Sequence, residues 1–180
     1  MDGKVIIEDF SQQWALEYKK EEMKIRSVLG ETIIQIEHIG STAIENLGSK
    51  PIIDMMCGVK NINDISDFLD AFGNIGYEFV WHEDFPERRF FRKGEYRAGT
   101  HHLHIYEFES KFWTNNILFR DYLRNHPDIL NEYYDLKIRL AEKYPFDRVK
   151  YTNGKNEFIK SIIKKAREEL ELTASYDGNF

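Results

Sequence analysis

The stretch "EHIGSTAIENLGSKPIIDMM", residues 37–56, decides how this chain is read. A β-branched run, "TIIQIEHI", predicts a strand that ends in Gly40-Ser41. A second apolar run, "PIIDMMCGV", residues 51–59, carries a single acid, Asp54. Glycine at position 40 lets the backbone take positive φ or come close to a ligand. Ser41 and Thr42 follow where a short helix or turn is predicted, and Lys50 lies nearby. Helix N-termini expose free N–H groups and a positive dipole end, so this turn suits a phosphate. The alternative is that Ser41 or Thr42 only caps the helix.

Asp54 poses the sharper question. In an extended strand Ile52, Asp54 and Met56 share one face, and Ile53, Met55 and Cys57 share the other. A run that is apolar on both faces belongs inside a sheet. A carboxylate buried there is costly without a partner. Asp54 therefore pairs with Lys50, an arginine or a histidine, or it opens onto a cleft as a metal or catalytic group. The segment "THHLHIYE", residues 100–107, offers partners. Leu103 and Ile105 alternate with His102, His104 and Tyr106, so both histidines face one side of one strand. Imidazole suits zinc and other borderline metals. With Asp54 on an adjacent strand, His102 and His104 complete a set of two imidazoles and one carboxylate. Glu37 and His38 are further candidates.

The bulk numbers narrow the class. The chain has 180 residues, 42% hydrophobic and 14% aromatic, which suits one ordered domain. A formal charge of -6 argues against a sequence-independent nucleic-acid binder, while a small anion in a local basic pocket remains compatible. Arg88, Arg89, Arg92, Arg97, Arg120, Lys137 and Lys155 either line such a pocket or solvate surfaces; "RRFFRKGEYR" is locally basic in an acidic chain. The single cysteine, Cys57, sits in an apolar run and reads as a buried reduced thiol. There is no signal-peptide pattern and no run of the ~20 apolar residues that a membrane span needs, so a cytoplasmic protein is expected.

Along the chain the character is α+β. Ser11 is predicted to cap a helix whose apolar candidates are Trp14, Leu16, Tyr18, Met23, Ile25 and Leu29, with Gly30 closing it. Strands alternate with a short helix up to "HLHIYEF", and a hairpin is expected around Lys93-Gly94. From Ser110 the pattern turns helical, punctuated by Pro127 and Pro145. The expected organisation is a single domain, with a sheet-containing core over about 1–109, helices over 110–172 and a loose tail over 173–180.

"EHIGSTAIENLGSKPIIDMMCGV" resembles the signature of the GrpB family, as do "HHLHIYEF" with "FWTNNILFRDYLRNHP", "YYDLKIRLAEKY" and "YTNGKNEFI". The resemblance covers nearly the whole chain. It implies membership of the nucleotidyltransferase superfamily: a mixed sheet like the palm of DNA polymerase β, flanked by helices, with a helical C-terminal segment. In that superfamily an apolar residue and Gly-Gly or Gly-Ser precede an Asp-apolar-Asp/Glu pair, and a later strand adds a third carboxylate. Ile39-Gly40-Ser41 and Asp54 match. The second acid falls at Met56, whose thioether is a poor ligand for magnesium, and histidines stand where the third acid belongs. The resemblance implies metal-assisted transfer of a nucleotidyl group through Asp54, and Glu37 is the second expected catalytic residue. On the enzyme reading, phosphates are expected at Gly40, Ser41, Thr42 and Lys50, and a metal at Asp54, His102 and His104. The departures imply that another metal serves, that Glu37 and Glu107 compensate, or that transfer is lost. Magnesium or manganese suits a transferase. The alternatives are a non-catalytic protein that binds a nucleotide or other phosphorylated ligand, and a hydrolase using zinc at the histidine cluster.

Overall fold

In a computed structural model, which describes residues 3–95 and 98–177, the two apolar runs around Gly40 form antiparallel strands β1 (Ile33–Ile39) and β2 (Ile53–Val59). Strands β3 (Tyr77–Val80), β4 (Arg89–Glu95) and β5 (Ala98–Glu107) complete one five-stranded sheet in the order β1-β2-β5-β4-β3. The β2–β5 pair is parallel and the other pairs are antiparallel. Parallel pairing needs a long crossover. The chain makes it through a 3-10 segment, Ile62–Phe68, a short helix, Leu69–Asn74, and the β3–β4 ribbon.

Helix α1 (Gln13–Leu29) and helix α2 (Leu69–Asn74) cover one face of the sheet. Trp14, Tyr18, Ile25 and Leu29 pack with Phe72 on Met55, Cys57, Phe91, Leu103 and Ile105. Burying each such side chain contributes about 1.5–3 kcal/mol, which fixes β2 as an interior strand. The buried stripe of α1 runs Trp14, Tyr18, Glu21, Ile25, Leu29 at helical spacing. Leu16 and Met23, expected in the core, fall off that stripe and are exposed. Ser11 Oγ accepts the N–H of Gln13 at 3.2 Å, close to the expected cap.

The opposite face carries the C-terminal helices. Helix α3 (Lys111–Asn125) starts at Ser110, whose Oγ accepts from the N–H of Trp113 at 3.4 Å. Helix α4 (Pro127–Lys143) starts on proline, whose missing N–H costs nothing in a first turn. A short helix α5 (Arg148–Asn153), not foreseen from the sequence, precedes helix α6 (Asn156–Asp177). Trp113 seals Ile39, Met56 and Tyr106 on this side.

Two expectations are corrected. The β4–β5 pairing continues through Gly94↔Gly99 to Glu95↔Ala98, so Lys93-Gly94 marks a register shift rather than the hairpin turn. Tyr96 and Arg97 lie outside the described residues. The tail expected to be loose over 173–180 continues α6 as far as Asp177; 178–180 lie outside the described residues. Among the described residues no helix is long and apolar enough to cross a membrane.

Candidate functional site

Parallel pairing of β2 with β5 sets Asp54 directly beside His102, with His104 two residues further along the same face. Asp54 Oδ1 lies 3.0 Å from His102 Nδ1. One donor atom each from Asp54, His102 and His104 can be chosen so that all lie within 4.8 Å of one another. Burial pushes the His104 imidazolium down to about 3, so this ring is neutral at ordinary pH. Its Nδ1 is buried with no hydrogen-bond partner among the described residues. Burial pushes the Asp54 carboxyl up, but its bond to His102 and the fields of His102, His104 and Lys50 outweigh that and hold it below its usual value. A neutral imidazole with an unmet ring nitrogen, a second imidazole and an ionised carboxylate fit a borderline divalent ion.

Gly40 roofs this group. Its backbone sits at φ 69°, ψ -172°, a region that only glycine enters readily. The turn that follows, Ser41–Ala43, is a single 3-10 turn and not the start of a helix, so no macrodipole points at the cleft. Ser41 lines the cleft and shares a side-chain hydrogen bond with Tyr133. Thr42, expected at the phosphate, faces the other way. Its Oγ1 donates to Ile52 O at 3.3 Å and lies 3.0 Å from His38 Nε2. A 3-10 turn rotates successive side chains by about 120°, which carries Thr42 behind the turn. There it borders a separate hollow of about 910 Å³ with His38 and Arg124.

The cleft beneath the turn measures about 400 Å³. Gly40, Ser41, Lys50, Asp54, His102 and His104 line it, together with Arg88, Lys137, Tyr151 and Lys155. Four lysine and arginine side chains thus face one carboxylate. Lys137, from α4, is 1% exposed, and its Nζ donates to Gly48 O. Burial, with Lys155 and Lys50 nearby, pushes its ammonium down to about 6. Burial and Lys50 push Lys155 down to about 8. Lys50 is lowered too, by burial and by Arg148 against the pull of Asp54. The sequence held a signal for Lys137: it lies on the buried stripe Leu130, Tyr133, Lys137, Leu140 of α4. A lysine on an apolar stripe has a partner or a task.

Glu37 does not line the cleft. It pairs with Met56 across the β1–β2 ladder, and Arg120 Nη1 donates to its Oε2 at 2.6 Å. Arg120 also donates to His38 O at 3.0 Å and to Asp121 Oδ1 at 2.7 Å, so Glu37 anchors α3 to β1. Glu107 pairs with Val59, five residues along β5 from His102, and cannot replace a missing acid. Met56 is fully buried among Ile39, Tyr106 and Trp113 and supplies no hard oxygen. Arg92 pairs with Glu78 at 2.8 Å, and Arg89 donates to Pro86 O at 2.7 Å.

A mixed sheet with this turn and this acid, covered by helices on both faces, defines a nucleotidyltransferase-like fold. The crystallised Cid1 in complex with its short product ApU matches 76% of this chain and 43% of its own, at TM-score 0.53 and 13% identity. That likeness is one of fold. The chain belongs to the GrpB family, whose model, described as GrpB protein, matches residues 4–165. The crystal structure of the conserved protein GrpB from Enterococcus faecalis matches at TM-score 0.86 and 36% identity, over 92% of this chain and 99% of that one. The UPF0157 protein YqkA of Bacillus subtilis is 40% identical over 91% of this chain. This chain spans only 48% of that protein's length. The glutamate-rich protein GrpB of Alkalihalophilus pseudofirmus is 35% identical over 91% of this chain and 96% of its own.

Proposed function

We propose that this chain binds a nucleotide with one divalent metal ion in the cleft under Gly40-Ser41, and that its reaction is transfer of a nucleotidyl group to an acceptor. The observation that carries this reading is the meeting of Asp54, His102 and His104 with a cationic wall in one cleft on a nucleotidyltransferase-like fold. Asp54, His102 and His104 hold the ion, which when bound neutralises phosphate charge and polarises a phosphoryl oxygen. Gly40 and Ser41 line the cleft where a phosphate would lie, with the Ser41 hydroxyl and the Lys50 ammonium as donors to it. With Met56 in place of the second acid and Glu37 tied to Arg120, one metal is held rather than two. The reading suits a cytoplasmic protein acting on soluble nucleotides.

Titration of pure protein with each nucleoside triphosphate, plus manganese or magnesium, tests it, followed by transfer assays with label in the α-phosphate. Binding that needs both metal and Asp54 is expected. Failure to bind any nucleotide with either metal would remove the reading. A hydrolytic reading is favoured by the two imidazoles, since nitrogen-rich donors suit zinc and a metal-activated water. Release of nucleoside or phosphate with no label on any acceptor would assign that chemistry.

A further inference from the structure

We propose that Lys50, Lys137 and Lys155 form a subsite for a polyphosphate tail, and that filling it draws a proton onto the protein. This rests on the nucleotide reading of the cleft and specifies which part of the ligand each wall meets.

Three amines from separate parts of the chain converge here. Lys50 precedes β2, Lys137 comes from the middle of α4, and Lys155 stands between α5 and α6. Lys50 and Lys155 both stand over the ring of Tyr151, at 5.2 Å and 4.7 Å from its centre. Lys137 lies over the ring of Tyr133 at 5.6 Å and reaches Gly48 O. Among the described residues none of the three forms an ion pair, and the acid of the cleft, Asp54, is bonded to His102. Like charges brought this close, with apolar and aromatic walls, repel and lose hydration. A surface cluster of lysines would spread into water, but Lys137 is held by α4 and has nowhere to go. The arrangement is favourable when a polyanion lies between the amines. One phosphate can satisfy one or two of them. A chain of phosphates with four or five charges can reach all three.

The proton follows from the same crowding. The charged and titratable groups facing Lys137 are Lys155, Lys50 and Asp54, with Tyr133 beneath it. Lys155 faces Lys50 and Asp54, with Tyr151 beneath it. His82, His102, His104 and Arg88 line the rest of the cleft. In the free protein Lys137 sheds its proton because burial strips the ammonium of water and Lys155 and Lys50 repel it, consistent with its lowering to about 6. An arriving polyanion reverses the balance: a proton from the buffer adds to the lone pair of the Lys137 amine, and no covalent bond is made or broken. Binding then tightens as pH falls, until near pH 6 Lys137 of the free protein already holds its proton.

Calorimetric titration with inorganic tripolyphosphate, without metal, at pH 7.5 in two buffers of different ionisation enthalpy, reads both claims. Wild type should bind tripolyphosphate at least tenfold more tightly than orthophosphate, and the heats should differ between buffers. Lys137→Met keeps the stem and removes the amine. It should lose close to one proton of uptake relative to wild type, and affinity with it. Lys155→Met should lose affinity and retain most of the uptake, which guards against an effect of misfolding at position 137. Equal affinity in wild type and both variants, or equal proton exchange in wild type and Lys137→Met, would overturn the proposal. Should wild type bind a nucleoside triphosphate with manganese but not tripolyphosphate, the subsite fails and the nucleotide reading stands. Should it bind neither, both fall.

Discussion

A Cβ at position 40 would stand 2.6 Å from Asp54 Oδ2. The turn and the acid therefore occupy one space, and the glycine serves two ends: it adopts φ 69° and it clears room for the carboxylate. Gly40→Ala should displace Asp54 from His102 and cost roughly 1–3 kcal/mol of stability from backbone strain alone. Thermal melts and manganese titration of the variant check this. Unchanged stability with unchanged metal binding would show that the turn relaxes freely and is not coupled to the acid.

Asp54→Asn keeps the shape of the side chain and a hydrogen bond towards His102 while removing the charge. Partners of metal ligands typically change affinity by about 10–100-fold, so loss of a ligand should weaken manganese or zinc binding by at least on the order of 100-fold. Stability should change by about 1 kcal/mol, since the bond to His102 persists in neutral form. Equilibrium dialysis beside a denaturation curve separates the roles. A large loss of stability with metal affinity intact would mark Asp54 as half of a structural pair.

The strands around Gly40 are legible in the sequence because β-branched runs broken by a glycine admit few other structures. The facing of His102 and His104 is legible too, since a period of two needs no tertiary knowledge. Their meeting with Asp54 is not, because it depends on β2 and β5 pairing in parallel across about forty intervening residues. The side on which Thr42 lies is not legible, because the direction of its hydroxyl depends on whether a helix or a single 3-10 turn follows Gly40. The pairing of Glu37 is not legible either, because its partner, Arg120, comes from a helix 83 residues away. Lys137 sits in "DLKIRL", where a lysine reads as solvated until the buried face of α4 is known.

Glu37→Gln tests the structural role of that acid. Arg120 is 8% exposed, and its Nη1 loses a charged acceptor in the variant. Breaking a buried pair from one side costs roughly 3–5 kcal/mol, moderated here because Asp121 and His38 O still accept from Arg120. Destabilisation of about 2 kcal/mol or more is expected, with metal affinity per folded molecule unchanged. A variant that folds as stably as wild type and fails to bind metal would return Glu37 to the site.

His38 should make the protein acid-sensitive from a pH above the range in which carboxylates titrate. The ring is buried and stacked on Tyr18 at 4.7 Å between centres, and its Nε2 lies 3.0 Å from Thr42 Oγ1. Thr42 gives its own proton to Ile52 O, so Nε2 carries a hydrogen towards Thr42 Oγ1. Burial lowers its imidazolium from 6.5 to about 4, with Arg124 and Arg120 adding to that and Asp54 opposing it. Above pH 6.5 the ring is neutral whether the chain is folded or not, and ionisation has no effect on stability. As pH falls from 6.5 towards 4 the unfolded chain takes up this proton and the folded chain does not, so stability is lost across that window. At about 1.4 kcal/mol for each pH unit, the loss comes to roughly 3 kcal/mol. His38→Gln keeps a hydrogen-bond donor near Thr42 and removes the titration. Its stability at pH 7.5 should be lower than wild type, because the stack on Tyr18 is lost. Between pH 6.5 and 4.5 its stability should fall less steeply, and the two curves should converge. Urea denaturation at four or five pH values in that range measures the difference. Parallel curves for wild type and His38→Gln would show that position 38 is protonated equally in both states, and that the neutral ring assigned to the wall behind the Gly-Ser turn is wrong.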